Sequence, residues 1–365
     1  MTNVNTLFQT TGHDIDKLCV VIPARNEELL VGRCIESVLA AGVPANQIYD
    51  VNDCSTDSTG AVLAGIEGIK VLTNEQRLGK SVGICSLISH FKLHERFAYL
   101  SLLDADSCVA PAYFAEVLST FRNDPDFVVV CGAPRSERHN WLTAFRALEY
   151  MLSARMYRPG QDALGMITVA PGCAATYRTS ILQRLEWNGG TLVEDMDLTV
   201  QVHRKALGRI GFAKDAIAYT QDPRQLRDYV GQITRWHSGT WQVMKRHRLP
   251  FGGQRVDAEF ALLVGEGLMY SSLVMLLPLL VLIWPTAVLR WALMDQALVL
   301  AGSLYCAISM RRVDVIAWAP SFTILRFLNS VIFLKTFWQE IVRQRSLGAW
   351  FSVQRYGELR STTHA

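Results

Sequence analysis

Short apolar runs alternate with segments of helical periodicity over the first hundred residues, and this alternation constrains the fold more than any other feature. The apolar runs occupy residues 18–22, 48–51, 69–72 and 99–103, and apolar side chains recur at helical spacing between them. Strands separated by helices form β-α-β units, which predict a parallel, doubly wound sheet. Open sheets of this class bind ligands at the carboxyl ends of their strands. We therefore expect an α/β domain with its site at that edge.

A change in composition after residue 250 divides the chain into two parts. Apolar segments within residues 259–289 and 291–310 each approach the ~20 residues that a helix needs to span a bilayer. A third segment, residues 315–338, contains Pro320, Arg326 and Lys335, so both two and three spans stay open. The expected division is a lead-in at 1–17, a soluble domain at 18–250, a membrane region at 251–345 and a basic tail at 346–365.

Basic residues flank the two clearer spans on one side. The run at residues 245–248 precedes the first span and Arg311-Arg312 follows the second, which indicates a cytoplasmic soluble domain and a lipid bilayer beside it. If the third segment also spans, the basic tail lies outside, against that tendency; otherwise the segment lies in the membrane interface or folds back. The amino terminus lacks the basic start and apolar core of a signal peptide, which agrees with a cytoplasmic placement.

Charge, cysteine spacing and glycine spacing exclude several classes of protein. The net charge of +3 gives no case for nucleic acid as a partner. Eight cysteines without a C-x-x-C pair favour free thiols over a zinc site or a disulfide framework. Gly79-Lys80-Ser81 resembles the end of a P-loop, but Asn74 stands where the opening glycine would be, and no G-x-G-x-x-G follows the first strand. Nucleotide binding would therefore have to use side chains.

Two carboxylates, Asp104 and Asp106, follow the apolar run at 99–103. At the carboxyl end of a strand both side chains project into the ligand-binding crevice, close enough to share one divalent cation. Carboxylate oxygens suit Mg²⁺ or Mn²⁺ bridging a diphosphate. The alternative is a polar turn that caps the helix predicted over 113–121, and an isolated Asp-x-Asp does not choose between the two.

Three acids, Glu194, Asp195 and Asp197, begin another predicted helix. Acids in a first helical turn complement the helix dipole, so a structural role explains each of them as well as a catalytic one. A carboxylate near a bound diphosphate and metal could also accept a proton as a general base.

A later helix places Gln232, Arg235 and Trp236 on one face. An arginine fork suits a diphosphate, and an indole offers a flat apolar wall. The alternative is an amphipathic helix with Trp236 in the membrane interface. Small residues at 169–177 either let a ligand approach the backbone or pack closely under a helix, and the sequence does not separate these two interpretations.

Six motifs in order, from about residue 18 to residue 241, resemble those of family 2 glycosyltransferases. The similarity is to the membrane polysaccharide-synthase branch, which includes cellulose, chitin, hyaluronan and poly-N-acetylglucosamine synthases. The motifs are Ile22-Pro23-Ala24-Arg25-Asn26-Glu27, Asn52-Asp53-Cys54-Ser55-Thr56-Asp57, Leu78-Gly79-Lys80, Asp104-Ala105-Asp106, Glu194-Asp195 and the Q-x-x-R-W motif Gln232 to Trp236.

The resemblance implies a GT-A type, Rossmann-like nucleotide-sugar-binding domain followed by transmembrane helices. The residues that it assigns to the nucleotide sugar are Pro23, Glu27, Asp53, Lys80, Asp104, Asp106 and Arg235. Asp53 would bind a uracil ring, and Asp104 and Asp106 would serve the diphosphate and the metal, Mg²⁺ or Mn²⁺. The usual paired acids of the second motif appear here as Asn52-Asp53, a departure that loosens the case for uridine.

The resemblance also implies the reaction. Asp195 would be the catalytic base with Glu194 beside it, and Gln232 and Trp236 would bind the acceptor. The expected protein is a metal-dependent, inverting glycosyltransferase of the bacterial inner membrane, which moves a hexose or N-acetylhexosamine from a UDP-sugar to a sugar or lipid-linked acceptor. Alternatives are a processive synthase acting as a homo-oligomer, and a non-catalytic membrane subunit. Larger synthases have membrane helices before the catalytic domain; none precedes residue 18, which argues against a translocating channel within one chain.

Overall fold

The computed structural model describes residues 14–137, 139–346 and 353–357, so most of the predicted lead-in and tail lie outside the described residues. The strands are β1 Leu18–Ala24, β2 Ile48–Asp53, β3 Lys70–Asn74, β4 Tyr99–Leu102, β5 Ser107–Val109, β6 Phe127–Ser136, β7 Ala175–Arg178 and β8 Arg209–Thr220. Within the described residues they form one eight-stranded sheet in the order β3-β2-β1-β4-β7-β6-β8-β5.

The first half of this sheet is parallel, as the repeated β-α-β pattern predicts. β1 pairs with β2 and β4, and β2 pairs with β3. β1 is apolar because both of its faces are covered: Leu18, Val20 and Ile22 join one apolar layer, and Cys19 and Val21 join the other. The helices of this half are α1 Val31–Ala40, α2 Thr59–Ala64, α3 Lys80–His90, α4 Leu93–Arg96 and α5 Tyr113–Asn123.

The second half of the sheet is mixed. β7 runs antiparallel to both β4 and β6, and β5 runs antiparallel to β8, while β6 and β8 are parallel. The sequence pattern does not indicate β8, because Lys214 and Asp215 interrupt its apolar residues. The remaining helices of the soluble part are α6 Trp141–Leu152, α7 Arg158–Leu164, α8 Glu194–Arg204 and α9 Leu226–His247. The four neighbouring parallel strands therefore end at β4, and the antiparallel β7 lies between β4 and β6.

The apolar region consists of α10 Arg255–Ile283, α11 Pro285–Ser309 and α12 Ala319–Phe337. The helix break predicted near residue 290 is wrong by several residues, because Pro285 occupies the first turn of α11, where a missing N–H costs nothing. In the part of the chain that the structure describes, three segments are long and apolar enough to cross a membrane: Arg255–Ile283, Pro285–Ser309 and Ile316–Val342. Large apolar side chains such as Leu282 and Leu293 are exposed on α10 and α11, as expected of helices that face lipid.

α12 packs along the soluble domain. Its Leu325 is buried in a cluster with Phe145 of α6 and Tyr229 of α9. Toward its carboxyl end, the Phe333 ring lies 5.2 Å from the Trp241 ring of α9. Short π or 3-10 turns flank these helices at Ser153–Tyr157, Val313–Trp318 and Trp338–Val342, and others lie at Ala45–Gln47 and Thr179–Arg184. These contacts attach the third apolar segment to the α/β domain, while its length and composition also allow it to cross a membrane.

Candidate active site

One cavity of about 600 Å³ opens at the carboxyl ends of β1, β2 and β4 and is closed on its far side by α8 and α9. Every site residue predicted from the sequence lines it: Pro23, Glu27, Asp53, Lys80, Asp104, Asp106, Glu194, Asp195, Gln232, Arg235 and Trp236. The β-α-β topology explains this convergence, because parallel strands end at the same edge of the sheet.

Each acid of the Asp-x-Asp turn is paired with a different cation. The Asp104 carboxylate lies 2.7 Å from the Lys80 ammonium, and the Asp106 carboxylate lies 2.6 Å from the Arg355 guanidinium. Burial raises the pKa of Asp106, and the positive charge of Arg355 opposes that shift. The turn therefore presents two carboxylates whose negative charge is balanced by separate positive groups.

Lys80 connects this turn to the acids of α8. Its ammonium lies 2.5 Å from Glu194 as well as 2.7 Å from Asp104. Burial lowers the pKa of Lys80, but the two carboxylates outweigh burial and hold the pKa well above its ordinary value. The preceding Gly79 has a φ of 86°, which an L side chain rarely adopts. The motif that partly matches a P-loop thus delivers a lysine to two carboxylates.

Asp195 lies beside Glu194 in the first turn of α8. One carboxylate oxygen accepts a hydrogen bond of 3.2 Å from the Gly172 N–H, and the other accepts one of 2.8 Å from the Met196 N–H. Burial raises the pKa of Asp195, the neighbouring charge of Glu194 raises it further, and Lys80 opposes both effects. Asp195 is thus a half-buried, cavity-lining carboxylate with more affinity for a proton than an ordinary aspartate has.

Asp197, the third acid of this helix, has a different environment. It is buried outside the cavity lining, 2.8 Å from the His247 ring nitrogen, and it accepts a hydrogen bond of 2.9 Å from Gln201. The contact with His247 joins α8 to α9. Of the three acids that the sequence could not rank, two face the cavity and the third has a structural role.

Gly172, within the small-residue stretch at 169–177, brings the backbone close to charged groups. A Cβ on Gly172 would lie 2.8 Å from the Lys80 ammonium and 3.6 Å from Asp104. A side chain at this position would therefore displace the lysine. At Gly172 the geometry favours access to the cavity, whereas Ala174 and Ala175 are buried in the apolar layers of the sheet, as close packing predicts.

Asp53 and Glu27 lie at the nucleotide end of the predicted site. The Asp53 carboxylate accepts hydrogen bonds from the Leu78 and Gly79 N–H groups, both 2.8 Å, and from the Asn74 side chain at 3.0 Å. Asp53 therefore shapes the loop before α3, and a uracil ring would have to share its carboxylate. Burial raises the pKa of Glu27 to about 7, although Arg355 opposes that shift.

The Q-x-x-R-W helix contributes its polar face to the cavity. The Arg235 guanidinium donates a hydrogen bond of 3.1 Å to the Leu192 carbonyl. Gln232 has a buried amide oxygen without a hydrogen-bond partner among the described residues. Trp236 lines the cavity, and its ring centre lies 4.8 Å from the central carbon of the Arg146 guanidinium on α6. This position argues against the alternative that Trp236 serves as an anchor in the membrane interface.

Arg355 is the site residue that the sequence did not reveal. Its guanidinium lies 2.5 Å from Glu27 and 2.6 Å from Asp106. The segment is held in place by two hydrogen bonds between Gln221 and the Tyr356 backbone, of 2.7 and 3.0 Å, and by Arg224, 4.4 Å from the Tyr356 ring centre. The sequence did not reveal Arg355 because it is one of several basic residues in the tail, and basic residues beside apolar helices are also expected from membrane topology alone.

Comparison with known proteins agrees with this geometry. The family model described as "Glycosyltransferase like family 2" matches residues 16–239. The probable glycosyltransferase YdaM of Bacillus subtilis is 27% identical over 248 residues, which are 65% of this chain and 58% of that protein. The poly-beta-1,6-N-acetyl-D-glucosamine synthase of Staphylococcus epidermidis is 23% identical over 256 residues, 68% of this chain and 60% of that protein. The chain thus spans less than two thirds of the length of these relatives.

Among solved structures, the mannosyltransferase PcManGT from Pyrobaculum calidifontis, in complex with GDP-Man and Mn²⁺, has a TM-score of 0.58 at 16% identity. The similarity covers 89% of this chain and 88% of that one, and it supports a shared fold. The family model covers more than half of the chain and includes every motif from the first strand to Trp236. The chain therefore belongs to glycosyltransferase family 2, and its α/β domain has a GT-A-like fold.

Proposed function

We propose that this chain is a membrane-anchored, metal-dependent, inverting glycosyltransferase that uses a UDP-sugar. The observation that carries the proposal is one cavity lined by the acidic pair Asp104 and Asp106, the acid Asp195, and the motif residues Arg235 and Trp236. A hexose or N-acetylhexosamine would pass to a sugar hydroxyl or a lipid-linked acceptor. A relative named for poly-N-acetylglucosamine synthesis makes UDP-N-acetylglucosamine the first donor to test.

The acidic pair fits a divalent cation that is completed by the donor. Among the described residues no group of three or more His, Cys, Asp or Glu side chains could hold a metal. Mg²⁺ and Mn²⁺ suit such a sparse set, because they are commonly bound by one or two carboxylates together with phosphate oxygens and water. Asp104 and Asp106 would hold the ion, which would neutralise charge on the departing diphosphate. The cations now paired with these acids, Lys80 and Arg355, agree with a site that requires positive charge.

The chain's own residues would supply the remaining chemistry. Asp195 would accept the proton of the acceptor hydroxyl as its oxygen bonds to the anomeric carbon, while the bond from that carbon to the diphosphate breaks. This single displacement inverts the anomeric configuration. Arg235 would bind the diphosphate, and Trp236 would form the floor under the acceptor ring.

The membrane region would keep the enzyme at the cytoplasmic face of the bacterial inner membrane. We propose the division 18–250 for the catalytic domain and 251–345 for the membrane region. The α10–α11 hairpin would be its anchor, with basic residues at both of its ends. Two or three helices can hardly enclose a polar path for a polysaccharide, so we expect one addition or a short oligomer unless several chains assemble.

The decisive experiment measures UDP release by detergent-purified protein with Mn²⁺ and a panel of nucleotide sugars, with and without membrane extract. Wild-type protein should release UDP only when the metal is present. Asp104→Asn or Asp106→Asn should fold normally but lose on the order of a thousandfold in rate, because the charge of the diphosphate is no longer neutralised.

Glu67→Gln, an exposed acid remote from the cavity, serves as the matched control and should behave as wild type. Near wild-type turnover in either aspartate variant would contradict the metal site. No nucleotide release across the whole panel would instead favour the non-catalytic subunit.

A further inference from the structure

Arg146 of α6 is a buried cation that the proposed reaction does not use. Arg146 is 4% exposed. Its guanidinium donates hydrogen bonds to Asp222 at 3.2 Å, to the Tyr150 hydroxyl at 2.9 Å and to Glu149. A buried guanidinium that lost these partners would carry a large desolvation cost, so its orientation is fixed.

The guanidinium lies against two aromatic rings at once. Its central carbon is 4.8 Å from the ring centre of Tyr150 and 4.8 Å from that of Trp236. Distances below about 6 Å are typical of a cation–π contact. Arg146 therefore holds both rings from behind. Both rings line the cavity, Tyr150 from α6 and Trp236 from α9.

The hydrogen-bond direction at Tyr150 leaves its proton available. The hydroxyl oxygen accepts from the Arg146 guanidinium, so that bond does not use the tyrosine proton. No acceptor for this proton is found in the part of the chain that the structure describes. Burial raises the pKa of Tyr150, which keeps the hydroxyl protonated.

We infer that Tyr150 and Trp236 form one acceptor-sugar subsite and that Arg146 is its positioning residue. The indole gives the apolar face on which a sugar ring stacks, and the phenol gives a directed O–H donor to a sugar hydroxyl or ring oxygen. The inference rests on the proposed function and deepens it, because it adds to the acceptor side of the site two residues, Tyr150 and Arg146, that lie outside the family motifs.

The test measures binding of a soluble N-acetylglucosamine disaccharide to full-length protein by calorimetry in the presence of UDP. Tyr150→Phe keeps the ring and removes the donor, so it should weaken disaccharide binding by roughly threefold to tenfold and leave UDP binding unchanged. Arg146→Lys keeps a charge but loses the planar fork, and it should weaken disaccharide binding in the same way. Tyr157→Phe, an exposed tyrosine outside the cavity lining, is the matched control and should bind as wild type.

Equal disaccharide affinity in wild type and Tyr150→Phe would overturn the subsite, as would a wild-type protein that binds UDP but no disaccharide. A merely structural role for Arg146 would lower thermal stability and UDP affinity together in Arg146→Lys, and that result would overturn its positioning role. UDP-sugar hydrolysis is measured on the same samples. Its absence would count against the proposed function, whereas hydrolysis without disaccharide binding would count against the subsite alone.

Discussion

Asp195 combines access to the cavity with a raised pKa, the two properties that a general base requires. Its neighbour Glu194 contributes to the raised pKa through like charge, while Lys80 opposes it. A base acts only when it is deprotonated, so the rate should fall as the pH decreases through the pKa of Asp195. That pKa lies above the ordinary aspartate value of 3.8. Asp195→Asn should retain UDP-sugar binding in calorimetry and lose transfer.

The neighbouring acid gives a sharper test of this assignment. Glu194→Gln removes the negative charge that favours the protonated form of Asp195, so the acid limb of the kcat profile should move to lower pH. The measurement is kcat at saturating donor across the acidic range. An unmoved limb, or UDP-sugar binding lost together with transfer in Asp195→Asn, would make Asp195 a binding residue and direct the search for the base elsewhere.

At the scale of elements, α9 serves two purposes. One face carries Arg235 and Trp236 into the cavity, and another packs against α12 through Tyr229, whose hydroxyl donates to Asn329 at 2.8 Å. The position of Arg235 thus depends on a helix that hydropathy alone would assign to the membrane. Movement of α12 relative to the domain would therefore displace α9, and with it the cavity residues Arg235 and Trp236.

Two adjacent residues of α12 test whether it is docked on the domain. Leu325 is 1% exposed and Ile324 is 66% exposed. Leu325→Ala should cost about 2–5 kcal/mol in unfolding free energy by leaving a cavity against α6 and α9. Ile324→Ala should cost little. Thermal unfolding of both variants in the same detergent checks this expectation, and equal losses would mean that α12 is not held against the domain.

At the scale of the whole molecule, the segment at 353–357 contacts acids that follow strands of the first half of the sheet: Glu27 after β1 and Asp106 after β4. Arg355 bonds to Glu27 across 328 positions of sequence. Arg355 and a divalent cation would both bind the Asp106 carboxylate, so they should compete for it. Arg355→Ala should therefore bind Mn²⁺ more tightly in the absence of donor, on the order of tenfold, because a charged hydrogen bond no longer has to be broken.

Paramagnetic resonance of free Mn²⁺ during titration measures this affinity without reference to turnover. Arg345→Ala is the control, because Arg345 is an exposed basic residue that does not line the cavity. Unchanged Mn²⁺ affinity in Arg355→Ala, or an equal gain in the control, would refute the competition.

The sequence predicts what depends on neighbours along the chain. Hydrophobic periodicity identifies the first four strands, and the position of Asp104 and Asp106 after a buried run is enough to place them at the sheet edge. β8 and the antiparallel insertion of β7 could not be predicted in this way, because their stability comes from partners far away in sequence. The contact of Asp53 with the loop before α3, and the arrival of Arg355, depend in the same way on tertiary packing.

The return of Arg355 to the first strands has a consequence for biogenesis. At a synthesis rate of about 5–20 residues per second, the 328 positions that separate Glu27 from Arg355 correspond to roughly a quarter of a minute to a minute. During that interval the emerging domain holds Glu27, and later Asp106, without their arginine, while α10, α11 and α12 are still being synthesised. Lys80 can pair with Asp104 and Glu194 before α10 is synthesised, whereas Arg355 reaches Glu27 and Asp106 only after α12 has been made. We therefore expect the contacts of Arg355 to be among the last that the site acquires.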